Sequence, residues 1–260
     1  MKIASWNVNS LKVRLPQVLD WINLNQPDVL CLQETKQNND NFPHDVFEKR
    51  GLFSYHNGQN TYNGVAIISN KELIDVQFDI PNFYDEQKRL ISGIYPNDED
   101  PKFRVISAYI PNGQSLNSDK FEYKMNWLKS FINFLQTKID GIENIITGDF
   151  NIAPTTLDCY DSKSWHGKIL VSPQEREYFD KLLNLGFIDT FREMNPNANE
   201  FSWWDYRIPF KRNLGMRIDH ILLSKTLLPF LKKAYIDKAT RTLERPSDHV
   251  PVVTELSLNP

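Results

Sequence analysis

Two hydrophobic periods, one of strands and one of helices, are interleaved along the whole chain. Lys2–Trp6 alternates like a strand, and Val29–Gln33 and Gly64–Ser69 are apolar runs of strand length. Arg14–Asn23 puts Leu15, Val18, Leu19 and Ile22 on one helical face, with Pro16 in the first turn, where a missing N–H is tolerated. Arg89–Tyr95 and Phe103–Ile110 are β-type runs joined by the turn-rich stretch Pro96–Pro101, which predicts a hairpin. Asp119–Lys138 is the longest predicted helix, with Phe121, Met125, Leu128, Ile132 and Leu135 at spacings of three and four. Asn144–Thr147 predicts a strand. Pro173–Leu185 predicts a helix capped by Ser172, with Pro173 at its first position. Ile218–Ser224 and Val252–Leu256 predict the last strands. Strands that come in hairpins as often as singly, with helices between, predict an α/β (α+β) fold with mixed sheets rather than strict βαβ winding. Periodicity leaves the number of sheets open. There is no repeat, low-complexity stretch or long linker, so one domain over residues 1–260 is expected.

Composition narrows the class. The chain is 40% hydrophobic and 24% charged, which excludes wholesale disorder. No apolar run approaches the ~18–20 residues of a membrane span, and the first residues lack the apolar core of a signal peptide. Cys31 and Cys159 are too few for a disulfide framework or a zinc cluster, and a reduced, cytoplasmic protein is expected. With 30 basic and 33 acidic residues the net charge is −3, so only a local basic patch would argue for a nucleic-acid partner.

Candidate chemistry collects at predicted strand ends. Asn7 follows the first strand and Gln33-Glu34-Thr35-Lys36 the second; Gly148-Asp149-Phe150-Asn151 follows a third. Asp219 opens the Ile218–Ser224 strand, and Ser247-Asp248-His249 precedes the last. Any one of them alone reads as a solvated turn. All five at the same kind of position suggest a single sheet edge. Carboxylates and carboxamides with one histidine make a hard-oxygen site suited to Mg²⁺ or Mn²⁺ and not to zinc. A second constellation interleaves Trp203, Trp204, Tyr206 and Phe210 with Arg207, Lys211, Arg212 and Arg217, the basic–aromatic pattern of a phosphate-backbone surface. Neighbouring side chains of an extended segment point oppositely, so one of Trp203 and Trp204 is expected at the surface. Tyr109 and Asn112 flank Pro111. His44 and His56 read as surface residues, His220 as structural and Cys31 as core.

Eight motifs in order carry a family resemblance: WNVNSLKVR (Trp6–Arg14), LQETK (Leu32–Lys36), NGVAI (Asn63–Ile67), YIPNG (Tyr109–Gly113), GDFNIAP (Gly148–Pro154), FSWWDYR (Phe201–Arg207), GMRIDHILLS (Gly215–Ser224) and RPSDHVPV (Arg245–Val252). The chain resembles exonuclease III-type apurinic/apyrimidinic endonucleases, within the endonuclease–exonuclease–phosphatase superfamily that includes DNase I. The resemblance implies a four-layer sandwich, two mixed sheets face to face with helices outside, and a site at one end. It makes Glu34 the principal metal carboxylate, with Asn7 and Asn9 beside it. Asp149 would orient or deprotonate the attacking water, and Asn151 would help hold that water and the phosphate. Asp219 would orient His249 on the scissile phosphate. Asp248 would be a further metal or site carboxylate. Tyr109 would lie near the leaving group with Asn112 next to it, and Lys36 and Arg89 near phosphates. Asn7, Glu34, Asp149, Asn151, Asp248 and His249 are thus the expected metal set.

Trp203, Trp204 and Met216 match residues that line the family's pocket for a flipped abasic sugar or frayed 3′ end, and Arg212 belongs to the basic segment beside it. The Asp158–Leu170 segment matches a loop that approaches DNA. His166 there is expected to narrow the path for an abasic site in intact duplex, the alternative being a plain surface histidine. The implied activity is Mg²⁺-dependent hydrolysis of double-stranded DNA 5′ of abasic sites and at damaged 3′ ends, by a monomer without membrane contact. Weak abasic incision beside strong 3′-end processing is the alternative. A superfamily phosphatase acting on inositol phosphates or sphingomyelin is opposed by the basic–aromatic segment, and a catalytically dead DNA-binding module by the intact acidic set.

Overall fold

A computed structural model describes residues 1–96, 103–137 and 141–257. The alternating N-terminus forms β1 (Lys2–Asn7), followed by α1 (Leu11–Asn25), β2 (Val29–Gln33), α2 (His44–Glu48), β3 (Phe53–Asn57), β4 (Val65–Ser69) and β5 (Ile74–Phe78). Next come β6 (Leu90–Tyr95), β7 (Phe103–Tyr109), α3 (Asp119–Thr137) and β8 (Glu143–Asp149). The chain continues with α4 (Ser162–Trp165), α5 (Pro173–Asn184), β9 (Phe187–Asp189), α6 (Thr190–Met194), β10 (Asp219–Ser224), β11 (Leu231–Ile236) and β12 (Val252–Leu256). The strands form two six-stranded mixed sheets, ordered β11-β12-β1-β2-β4-β3 and β5-β6-β7-β8-β10-β9.

Alternation along each strand decides the layers. In β2, Val29 and Cys31 face the second sheet, in a core shared with Val105, Ile145 and Ile221. Leu30 and Leu32 face outward with Trp6 and Ile68, under Val18, Trp21 and Ile22 of α1 and Phe47 of α2. On the far side, Trp127, Leu128, Phe131 and Leu135 of α3 and Phe179 and Leu182 of α5 cover Ile106, Ile146 and Leu222. The order is helix, sheet, sheet, helix: the expected four-layer sandwich.

Several details depart from expectation. Tertiary hydrogen bonds from Ser10 N to Glu34 O (2.7 Å) and Leu11 N to Thr35 O (3.1 Å) start α1 before Arg14, so Pro16 falls in its second turn. Its buried face is Leu11, Val18, Trp21 and Ile22, and Leu15 and Leu19 are only partly covered. β8 runs on through Gly148 and Asp149 because both pair with β7 and β10. β6 and β7 pair antiparallel as the hairpin requires. Their connection, residues 97–102, and Lys138 lie outside the described residues. His56 is not at the surface: it is 5% exposed, stacks on Phe42 at 4.1 Å and hydrogen-bonds Thr35 Oγ1 at 2.8 Å.

Candidate active site

Strand register brings the polar ends together. β1 and β2 are parallel with Asn7 opposite Gln33, so Asn7 and Glu34 emerge side by side. β7 and β8 are parallel with Tyr109 opposite Asp149, and antiparallel β10 sets Asp219 opposite Asp149. His249 lies just before β12, which pairs with β1. All leave the sandwich at one end.

At the centre, ligand atoms of Glu34, Asp149 and His249 lie within 4.8 Å of one another. Asn7 Nδ2 donates to Glu34 Oε1 and to Asp149 Oδ2, each at 2.9 Å. The Asn7 oxygen accepts from Asn9 N at 3.0 Å, which fixes the amide orientation and turns NH₂, not oxygen, to the carboxylates. Asn7 is therefore a clamp between two acids and not, as expected, a metal ligand. Glu34 is also paired with Lys36 Nζ at 2.9 Å. Burial would raise the Glu34 pKa, but Lys36 and the Asn7 hydrogen bond outweigh burial and hold it below the ordinary value. Asp149 lacks such a partner; its nearest cationic atom, His249 Nε2, is 3.8 Å away. Burial there wins and raises the carboxyl to about 7.

His249 Nδ1 meets Asp219 Oδ2 at 2.9 Å, and that oxygen also accepts from Ser202 Oγ at 2.6 Å. Burial opposes the charge on His249, but Asp219 and then Asp149 overcome it and raise the imidazole to about 10. Asp219 thus fixes the imidazole from behind, and Nε2 is left facing Asp149 at 3.8 Å, within the group of three side chains that could hold a metal ion. The hydroxyl of Ser247 accepts from His249 N at 3.2 Å and donates to Asn7 O at 2.7 Å. Trp6 Nε1 donates to His249 O at 3.2 Å. Ser202, Ser247 and Trp6 each stand inside a quoted motif, yet their residue types alone gave no reason to single them out.

Asn151, in the left-handed region at φ 50°, donates Nδ2 to Ile110 O at 3.0 Å and accepts from Asn112 Nδ2 at 2.9 Å. Its main-chain N–H reaches Asp149 Oδ1 at 2.9 Å. Tyr109 hydrogen-bonds Glu34; burial and that carboxylate push its phenol well above the ordinary value, so it keeps its proton. The Arg89 guanidinium lies 4.7 Å from the Tyr109 ring and donates to Tyr109 O at 3.1 Å. Asp248 sits outside the central cluster, accepting from Asn9 Nδ2 at 2.9 Å and Trp203 Nε1 at 3.1 Å. Lys36 Nζ reaches Asn9 Oδ1 at 2.5 Å. Of the expected metal set, Asn151 and Asp248 are thus engaged elsewhere, and Glu34 with Asp149 remain as converging oxygen donors. These two carboxylates are bridged by the single Asn7 amide, and their hard oxygens fit a small divalent cation.

Known proteins carry the same framework. The profile of the Endonuclease/Exonuclease/phosphatase family matches residues 4–249. The chain is 36% identical to exodeoxyribonuclease III of Haemophilus influenzae, over 98% of this chain and 99% of that protein. The chain belongs to the endonuclease/exonuclease/phosphatase family. Among solved structures, a substituted form of the Neisseria 3′ phosphatase NExo bound to product DNA hairpin superposes with a TM-score of 0.95 at 44% identity, covering 99% of each chain. An AP endonuclease from Archaeoglobus fulgidus superposes at 0.94 with 34% identity, covering 99% of this chain and 100% of that one.

Around the cluster of this family member, the expected DNA-side residues separate. Trp203 is half-buried, 6.4 Å from the His249 ring. Trp204, as its neighbour in an extended stretch, points into the inter-sheet core and packs edge-on against Phe210 at 4.8 Å. Met216 is fully buried under Trp203. Trp204 and Met216 are therefore buried and, unlike Trp203, do not reach the surface. The basic segment also shrinks. Arg217 is buried between Asp158 (2.7 Å) and Asp189 (2.7 Å), while Arg207, paired with Asp205, stays exposed with Lys211 and Arg212. Arg217 has only donors, so His220 Nδ1 accepts from it at 2.9 Å and Nε2–H is left for Ile152 O. His166 is exposed directly after α4. A groove of about 800 Å³ opens beside the cluster, lined by Tyr62, Arg89, Tyr109, Asn112, Lys120 and Tyr123 among others.

Proposed function

We propose that the chain is a DNA repair nuclease of the exonuclease III type, dependent on Mg²⁺ with Mn²⁺ as a substitute, that hydrolyses phosphoesters at damaged 3′ ends and 5′ of abasic sites in double-stranded DNA. One observation carries this: Glu34, Asp149 and His249 converge within 4.8 Å, with Asp219 locked behind the histidine. Held by Glu34 and Asp149, the cation would neutralise phosphate charge as a Lewis acid. His249, kept protonated by Asp219, donates its Nε2–H to a non-bridging phosphate oxygen, where charge grows during attack. Asp149, at the centre of the cluster, would orient or deprotonate the attacking water. Asn151 and Asn112 offer amides to that water and the phosphate. Tyr109 carries a proton at the edge of the cluster for the departing oxygen. The same reading makes the protein a monomer in the cytoplasm acting in base excision repair, which suits its two free thiols, Cys31 and Cys159.

A second reading, preference for 3′ ends over internal abasic sites, is favoured by the higher identity to the 3′ phosphatase (44%) than to the AP endonuclease (34%), and His166, exposed after α4, is the residue that tests it. Three duplexes separate the readings: an internal abasic analogue, a nick with a 3′-phosphate, and a recessed 3′-hydroxyl end. Comparable rates on all three, unchanged in His166→Gly, support the general activity. Feeble abasic incision that His166→Gly raises relative to 3′-phosphate release supports the specialised one. Absence of cleavage on all three contradicts both.

A further inference from the structure

The main chain leaving Asp149 is held at three successive carbonyls by side chains from three helices or strands. Asn151 O accepts from Lys124 Nζ of α3 at 2.7 Å, Ile152 O from His220 Nε2 of β10 at 2.9 Å, and Ala153 O from Arg176 Nε of α5 at 3.0 Å. Lys124 is 0% exposed, and its three donors are all spent. Beside Asn151 O they reach Asn112 O at 3.3 Å and Glu175 Oε1 at 2.5 Å. Asn112 and Asn151 are the two residues whose side chains join at the edge of the cluster. One buried ammonium thus grips the backbones of both.

The grip is itself anchored. Glu175 is fully buried, and besides Lys124 it accepts from Leu170 N (3.0 Å), Ser172 N (3.0 Å) and Ser172 Oγ (2.7 Å). Asn151 stands at φ 50°, in the left-handed region that asparagine tolerates, and the contact from Lys124 to its carbonyl fixes it there. A buried ion pair contributes little net stability compared with apolar side chains of the same volume, so packing alone does not account for a lysine here.

We propose that Lys124 is a positioning residue for the phosphoester site: its ammonium, fixed by Glu175, sets the Asn112–Asn151 pair against the substrate. The proposal rests on the reading of Asn151 as a site residue. Its test is steady-state kinetics of 3′-phosphate release for Lys124→Met, Asn151→Ala and the two combined, with Lys124→Met/Glu175→Gln as the variant that leaves no lone buried charge should Lys124→Met fold poorly. A displaced amide is expected to lower kcat on the order of 10²-fold, with KM within about threefold of wild type. Because Lys124 acts through Asn151, Lys124→Met should add nothing to the loss in Asn151→Ala. The Lys124→Met/Glu175→Gln variant should stay slow even where its Tm recovers. Recovery of kcat along with Tm, or losses from Lys124→Met and Asn151→Ala that multiply, would overturn the positioning role. Wild-type turnover in Asn151→Ala would overturn the site reading beneath it as well.

Discussion

At Glu34 and Asp149 burial pushes two carboxylates the same way, yet they end on opposite sides of their ordinary values. Lys36 stands 2.9 Å from Glu34 and outweighs its burial, whereas His249 Nε2 stands 3.8 Å from Asp149, whose burial is reinforced by the neighbouring acids Asp219 and Glu34. Neither pairing is written in residue types, since both carboxylates end apolar strands. His56 shows the same limit. Its neighbours Asn57 and Gly58 look like a turn, but Thr35 and Phe42 enclose it from distant segments. Burial, with the nearby His44, lowers His56 from 6.5 to about 3, so the unfolded chain binds the proton first. Stability should be full above about pH 6.5 and fall as the pH drops toward 3, losing about 2 kcal/mol between pH 7.5 and 5. Denaturant midpoints should show this slope in the wild type and its loss in His56→Gln; parallel slopes would contradict a neutral buried His56. Asp158 and Asp189 act lower on the scale. Arg217 overcomes their burial and holds both down, so their contribution is present above about pH 4 and lost as pH falls further.

Among the elements, long apolar runs and the α3 period were legible, because one face of each meets a large core. β3, β5, β9 and β11 were not. They are edge or short strands of mixed polarity, and Ile74 and Phe78 of β5 remain exposed. The extension of β8 through Gly148 is what delivers Asp149, and only glycine allows it. Gly148 has φ 151°, and a Cβ there would lie 1.8 Å from Ala108 O of the parallel neighbour β7. Gly148→Ala should cost about 3 kcal/mol and lower kcat beyond what unfolding explains, because Asp149 moves with the strand. Thermal melts and kcat measured well below Tm check this; wild-type values for both would contradict it. Arg217 was misread at this scale too. Its place in a basic–aromatic run suggested DNA, whereas β9 and the Asp158 turn draw it inside.

For the whole molecule, the five strand-end clusters were legible as one site because strands of parallel and antiparallel partners that share an edge must end together. What stayed hidden is the division of labour inside it: Asn7 as clamp, Asp248 turned to Asn9 and Trp203, and a charged His249. Those depend on side-chain directions set where the two sheets meet, as between Asn7 and Asp149, 142 residues apart in sequence. The central claim is that Glu34, Asp149 and His249 form a cation-dependent phosphoester hydrolase acting on DNA. The most direct test is the rate of 3′-phosphate release from a nicked duplex, for wild type and Asp149→Asn, in Mg²⁺ and in EDTA. The wild type should turn over in Mg²⁺ and stop in EDTA, and Asp149→Asn should be slower by ~10²–10⁴-fold in Mg²⁺. Wild-type turnover that survives EDTA, or an Asp149→Asn rate equal to wild type, would contradict the assignment.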